Sequence, residues 1–114
     1  MHLRKTLGAA GLLSLFAALH PVDASSLRAP EAAIETLAGA LIVPANVTGE
    51  FLVPPCRQCP PRAFRAAETV ELKWNGQRVA LADFRRRVLA NPRAAVTVFY
   101  RRADGVLLRV IGHE

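Results

Sequence analysis

The sequence predicts a small α+β domain: an antiparallel sheet of about six strands, formed by two or three hairpins, with one amphipathic helix packed on one face. Residues 69–74 alternate polar and apolar side chains, which is the period of a strand with one solvated face. Asn75-Gly76 follows, and this dipeptide is the strongest short signal for a two-residue hairpin turn. Residues 82–90 then change to helical spacing, so the predicted order places a helix directly after a hairpin.

The remaining elements are predicted from shorter patterns. The helix has Leu81, Phe84 and Val88 on one face, and an Asn-Pro pair follows its last residue. Residues 31–38 are rich in Ala and Glu and favour two helical turns. Strands are predicted over residues 37–43, 47–53, 95–100 and 106–111, with the last two joined by an Ala-Asp-Gly turn.

The first 24 residues are typical of a secretory signal peptide. Arg4 and Lys5 precede an uncharged apolar run over residues 7–19, and small side chains lead to a cleavage site after Ala24. As a helix the run would span roughly 20 Å, less than the ~30 Å hydrocarbon core of a bilayer. We therefore expect cleavage rather than a membrane anchor, no permanent membrane span in the processed chain, and a periplasmic or secreted protein.

The processed chain is expected to contain one domain. Residues 25–35 are predicted to be a flexible N-terminal segment, and residues 36–114 to form the domain. The whole chain has 15 Lys+Arg against 9 Asp+Glu, and its net charge is +6. This length excludes a multidomain enzyme, a solenoid and a polytopic membrane protein.

The PPCRQCPP segment, residues 54–61, carries the most concentrated chemistry. Its four prolines exclude a helix and a central strand, so it is predicted to be a fixed, exposed loop. Export favours a disulfide between Cys56 and Cys59. Three alternatives stay open: a redox-active pair, a site for a soft metal ion such as Cu(I), and free or intermolecular thiols.

Two arginine clusters are candidate anion-binding sites. Arg85, Arg86 and Arg87 lie on the predicted helix, and Arg101 and Arg102 lie at the second predicted hairpin. These residues would suit acidic lipid headgroups, anionic polymers or an acidic partner protein. The alternative is a solvated surface, because an amphipathic helix carries charge away from its apolar face.

Several function classes are disfavoured by what the sequence contains. After residue 24 the chain has one histidine, His113, and two serines, Ser25 and Ser26, so a Ser–His–acid site has no support. There is no glycine-rich phosphate loop, and the sequence lacks the row of aromatic residues that nucleic-acid stacking requires. Trp74 and Tyr100 are assigned to the core or its rim.

The sequence thus predicts a non-enzymatic binding or assembly module of the cell envelope. It would present the loop closed by Cys56 and Cys59 together with an arginine-rich face, need no cofactor, and bind an envelope protein, an anionic envelope polymer or lipid headgroups rather than nucleic acid. The alternative is a periplasmic accessory protein for thiol–disulfide exchange or Cu(I) handling, which would use the same two cysteines.

Overall fold

The computed structural model describes residues 29–114, so the expected signal peptide and residues 25–28 lie outside the described residues. Within the described range the chain forms six strands, one α-helix and a 3-10 turn at Ala38–Ala40. The elements are β1 (Glu31–Leu37), β2 (Glu50–Val53), β3 (Arg62–Trp74), β4 (Gln77–Arg78), α1 (Leu81–Ala90), β5 (Ala95–Arg101) and β6 (Leu107–His113). The α+β class and the number of strands are confirmed.

The sheet is mixed rather than wholly antiparallel, which corrects the prediction. Its strand order is β1-β5-β6-β3-β2, and β4 pairs with β3. β3 and β6 are parallel, with Trp74 opposite Gly112, and every other listed strand pairing is antiparallel. The cause is the path of the chain: α1 carries it to β5, and the β5–β6 hairpin then returns β6 into the position beside β3. Strand direction therefore depends on which strands become neighbours, and a local pattern does not encode that.

The sheet is also curled. A single bridge joins Ile42 to Leu52 of β2, so the segment that follows β1 at one edge of the sheet contacts β2 at the other edge. The pairing of β3 with β6 shifts register between Ala66 and Glu71, and such an irregularity lets a strand bend. The curl encloses one apolar core. Its largest fully buried side chains are Trp74, Phe51, Phe64, Phe84, Leu107, Val53, Val96, Val98 and Val110.

The segment predicted to form two helical turns is instead strand β1. All seven residues of β1 pair with β5, and Ile34 is buried against the core. Two helical turns are too short to be stable without packing, so pairing with β5 outweighs the helix propensity of Ala and Glu. β1 also includes residues 31–35, which the prediction placed in the flexible segment. The strand predicted over residues 37–43 is reduced to the bridge at Ile42.

The C-terminal half follows its local signals closely. Asn75 and Gly76 both have positive φ, 51° and 82°, as the hairpin turn requires. α1 begins one residue before the predicted start, and its Phe84 and Val88 side chains are buried. Asn91 ends the helix, with its side-chain amide donating to the Arg87 carbonyl oxygen at 2.8 Å. No helix within residues 29–114 is long and apolar enough to cross a bilayer.

Candidate functional site

The predicted loop connects β2 to β3 and brings the two cysteines together. Val53 and Arg62, the residues on either side of the loop, are register partners, so the loop closes an antiparallel hairpin. The Cys59 backbone N–H donates to the Cys56 carbonyl oxygen at 3.2 Å, which makes a tight turn around the two residues between them. The eight residues contain neither helix nor strand, so the loop prediction is confirmed.

Cys56 and Cys59 lie at disulfide-bonding distance, with their Cα atoms 5.0 Å apart. These are the two cysteines of the chain, so neither is left free. Cys56 is exposed, Cys59 is half-buried, and Arg57 and Gln58 between them are exposed. We call residues 54–61 the CRQC loop. The turn, the prolines and the bridge together restrict its backbone and leave the two polar side chains facing solvent.

A cleft of about 550 Å³ lies beside this loop. Pro54, Cys56 and Arg57 line one part of it, and Glu35 and Leu37 from the C-terminal half of β1 line another. The contact arises because the bridge at residue 42 places the chain after β1 antiparallel to β2 and to the residues that follow it. The CRQC loop is therefore next to an edge strand of the sheet.

His113 lines the same cleft as Cys56, which the sequence alone did not establish. It is exposed at the end of β6, opposite Ala95 of β5. Within residues 29–114, no group of three or more His, Cys, Asp and Glu side chains is arranged to hold a metal ion. The two cysteines remain the residues of this cleft with sulfur ligands to offer.

The helix arginines are partly engaged by their own neighbours. Arg86 and Arg87 both form ion pairs with Asp83, one turn earlier on α1. Arg85 instead donates from Nε to the Val43 carbonyl oxygen at 3.2 Å, which ties the helix to the segment before β2. Arg85 and Arg86 remain exposed and Arg87 is half-buried, so the first two present the most charge to solvent.

The hairpin arginines lie at a different end of the sheet. Arg101 forms an ion pair with Asp104 across the β5–β6 turn, and that hydrogen bond holds the pKa of Asp104 below its ordinary value. Arg102 is exposed beside it. Since α1 leads into Ala95 and Arg101 ends β5, the two clusters are separated by the length of that strand, about 20 Å. They do not form one continuous patch.

A third group of residues near this end was not found from the sequence. The Arg62 guanidinium lies over the Phe64 ring, 4.6 Å from its centroid, and over the Tyr100 ring at 5.0 Å. The two rings are themselves 5.1 Å apart. Arg62 follows the CRQC loop directly, but these contacts direct it toward the aromatic pair. Trp74 is buried in the core and Tyr100 is half-buried at its rim, as predicted.

The residues of β1 that line the cleft were missed for a specific reason. Glu35 and Leu37 were assigned to a helical or flexible segment, so nothing placed them near the loop. The available signal was the alternation of burial from Ile34 onward, with a long β-branched partner at residues 95–100. Comparison of the chain with protein-family models, with curated proteins and with solved structures gives no match.

Proposed function

We propose that this chain is a small, exported, non-enzymatic binding module of the cell envelope that uses the CRQC loop as its recognition surface. The observation that carries the proposal is the combination of stiffness and exposure in this loop. Four prolines, a backbone turn and the Cys56–Cys59 bridge restrict it, while Arg57 and Gln58 face solvent. A loop that is ordered before binding loses little conformational entropy when a partner docks, so more of the contact energy appears as affinity.

The location of the loop also supports a binding role. Loops carried on a packed sheet are common positions for recognition residues, because the sheet holds them still. Arg57 is an adaptable partner for carboxylates or phosphates, since its guanidinium offers a planar set of donors. Among residues 29–114 it has no ion pair, in contrast to Arg86, Arg87 and Arg101. The exported location rests on the signal-peptide pattern of residues 1–24.

Site-specific cross-linking in the protein's native cells tests this role. Gln58 is replaced by a photo-reactive amino acid, and the matched control carries the same replacement at Gln77, another exposed glutamine in β4. We expect one cross-linked product of discrete mass from position 58, little or none from position 77, and loss of the product when both cysteines are changed to serine. Equal products from both positions, or none from position 58, would contradict the proposal.

The second candidate is thiol–disulfide exchange or Cu(I) handling, and it is favoured by the exposure of Cys56 and by His113 in the same cleft. The reduction potential separates the candidates. A structural bridge resists glutathione and has a potential below about −300 mV, whereas a working pair lies between roughly −120 and −270 mV. Equilibration of the folded protein in glutathione buffers gives this value, and a potential in the upper range would replace the first candidate with the second.

For the metal variant, competition with a colorimetric Cu(I) chelator compares the reduced wild type with Cys56→Ser. A two-sulfur site predicts that the variant retains much less copper. Equal retention by the two proteins removes Cu(I) handling from consideration.

A further inference from the structure

The outer edge of β1 carries backbone groups that point away from the sheet. Two hydrogen bonds define the pattern: Arg102 N–H donates to the Pro30 carbonyl oxygen and Ala38 N–H donates to the Ala94 carbonyl oxygen, both at 2.9 Å. Both pairs continue the β1–β5 register in which Ile34 is opposite Val98. In an antiparallel pair every second residue bonds to the partner strand, so the even-numbered residues of β1 are bonded to β5.

The odd-numbered residues of β1 therefore direct their N–H and C=O groups outward. These residues are Glu31, Ala33, Glu35 and Leu37. Within residues 29–114, β5 is the strand that pairs with β1, and no backbone group of these four residues bonds to a loop or turn. A row of unpaired backbone groups along seven residues is a template for another extended chain.

The open edge and the CRQC loop border the same cleft. Glu35 and Leu37 from the edge strand and Cys56 and Arg57 from the loop all line it. Leu37 is 54% exposed, which is unusual for a large apolar side chain and leaves a surface for a partner's apolar residue. An added strand that follows β1 would run past the loop and bring its own side chains to Arg57.

We propose that the β1 edge binds an extended peptide segment of a partner protein, which adds a strand to the sheet and places an acidic residue beside Arg57. Strand addition fits the observations because main-chain groups supply the bonds and a neighbouring cleft selects side chains. The positive net charge of the chain attracts a segment with acidic residues, and Arg57 is the cation of the cleft without an ion pair among the described residues.

A second copy of this chain fits the edge less well. Self-pairing through β1 would engage seven residues from each chain, whereas stable interfaces use about 20–30 residues per side. A peptide needs no such area, because it can follow the edge and enter the cleft at the same time. The proposal rests on the proposed binding role, but its test acts on β1 and leaves the CRQC loop unchanged.

The test begins with selection of binders from a library of random twelve-residue peptides on the chain as its cells process it. Affinities of the selected peptides are then measured for the wild type, Ala33→Pro and Ala33→Val. Proline removes the outward N–H of residue 33 without touching a bond to β5, while valine keeps it and adds similar bulk. We expect Ala33→Pro to weaken binding about tenfold and Ala33→Val to bind like the wild type.

A backbone scan of the peptide makes the test independent of the fold of the variant. N-methylation of successive peptide positions is expected to abolish binding at every second position and to leave the alternate positions unaffected. The selected sequences should also share an acidic residue, and Arg57→Glu should remove the preference for it. Failure of any peptide to bind, loss without a two-residue period, or equal binding by both Ala33 variants would overturn the proposal.

Two outcomes would assign the edge to another occupant and would also overturn it. If the wild type is a dimer by sedimentation and Ala33→Pro is a monomer, the edge pairs with a second copy. If removal of residues that precede residue 29 is needed before any peptide binds, the chain covers its own edge. In either case the cross-link at Gln58 can still form, so failure here is distinguishable from failure of the proposed binding role.

Discussion

Trp74 of β3 packs directly against Gly112, its register partner on β6, and a Cβ atom on Gly112 would lie 2.5 Å from Cε3 of the indole. The other face of the core presses on the same ring, because Phe84 of α1 meets it edge-on with centroids 5.7 Å apart. The indole Nε1 donates to Glu114 Oε2 at 3.0 Å. Helix, parallel strand pair and C-terminal residue are thus held by one side chain.

This contact predicts that Gly112→Ala destabilises the domain. The added methyl group has no space unless the indole moves, and such overpacking costs about 1–3 kcal/mol of unfolding free energy. Urea denaturation of Gly112→Ala, Trp74→Phe and the double variant measures the effect and the coupling between the two positions. The smaller phenyl ring should make Gly112→Ala less costly. Additive losses in the double variant would show that the ring does not set the requirement for glycine.

Removal of the disulfide is expected to lower stability only slightly. The bridge closes a loop with a sequence separation of 3, so chain-entropy arithmetic gives about 2 kcal/mol. The loop also contributes no residue to the buried core. We expect the protein with both cysteines changed to serine to keep its circular dichroism spectrum and to unfold cooperatively at a lower urea concentration. An unfolded double variant would mean that the bridge organises far more than its loop.

The pairing of Asp104 with Arg101 predicts a small loss of stability in acid. The hydrogen bond from Arg101 lowers the pKa of Asp104 below its ordinary value of 3.8, so the unfolded chain takes up a proton at higher pH than the folded one. The contribution is complete above that ordinary value and is lost as pH falls through the lowered pKa. Both groups are exposed, so salt should weaken the effect.

Asp104→Asn isolates this contribution, because asparagine removes the charge but can still accept from the Val106 N–H. Thermal unfolding of both proteins is measured from neutral pH down to about pH 2, at low and high salt. We expect the wild type to lose more stability than the variant in the acidic part of this range. Identical pH profiles would show that the pair contributes nothing to folding.

Reversal of charge on the helix tests the anion-binding prediction. Arg85→Glu with Arg86→Glu should abolish salt-sensitive binding to anionic vesicles and leave the fold intact, since both side chains are exposed. Arg101→Glu with Arg102→Glu is the matched control at the other end of β5. Because the clusters are separate, the control should retain binding. If the wild type does not bind such vesicles even at low salt, the helix arginines are a solvated surface.

The sequence predicted the elements that depend on near neighbours. The Asn75-Gly76 turn, the helix with buried Phe84 and Val88, and the proline-framed loop each follow from residues a few positions apart. The errors have the opposite character. β1 forms because β5 lies 64 positions later in register, from Glu35 with Thr97 outward to both ends, although its own composition favours a helix.

The same limit applies to the site. The two cysteines are three residues apart, so their pairing was open to prediction from spacing and prolines. Their position beside Glu35 and His113 was not, because it depends on the bridge at Ile42 and on the curl of the sheet. Local chemistry was therefore predictable, while the neighbours that give it a binding cleft required the long-range pairings.

The central claim is that an exported chain works with its CRQC loop closed by a disulfide. Mass spectrometry of the protein recovered from its native cells, alkylated before and after reduction, tests this most directly. We predict a chain that begins at Ser25 and gains alkyl groups on Cys56 and Cys59 only after reduction. A chain that retains residues 1–24 and is alkylated at both cysteines without reduction would contradict the account.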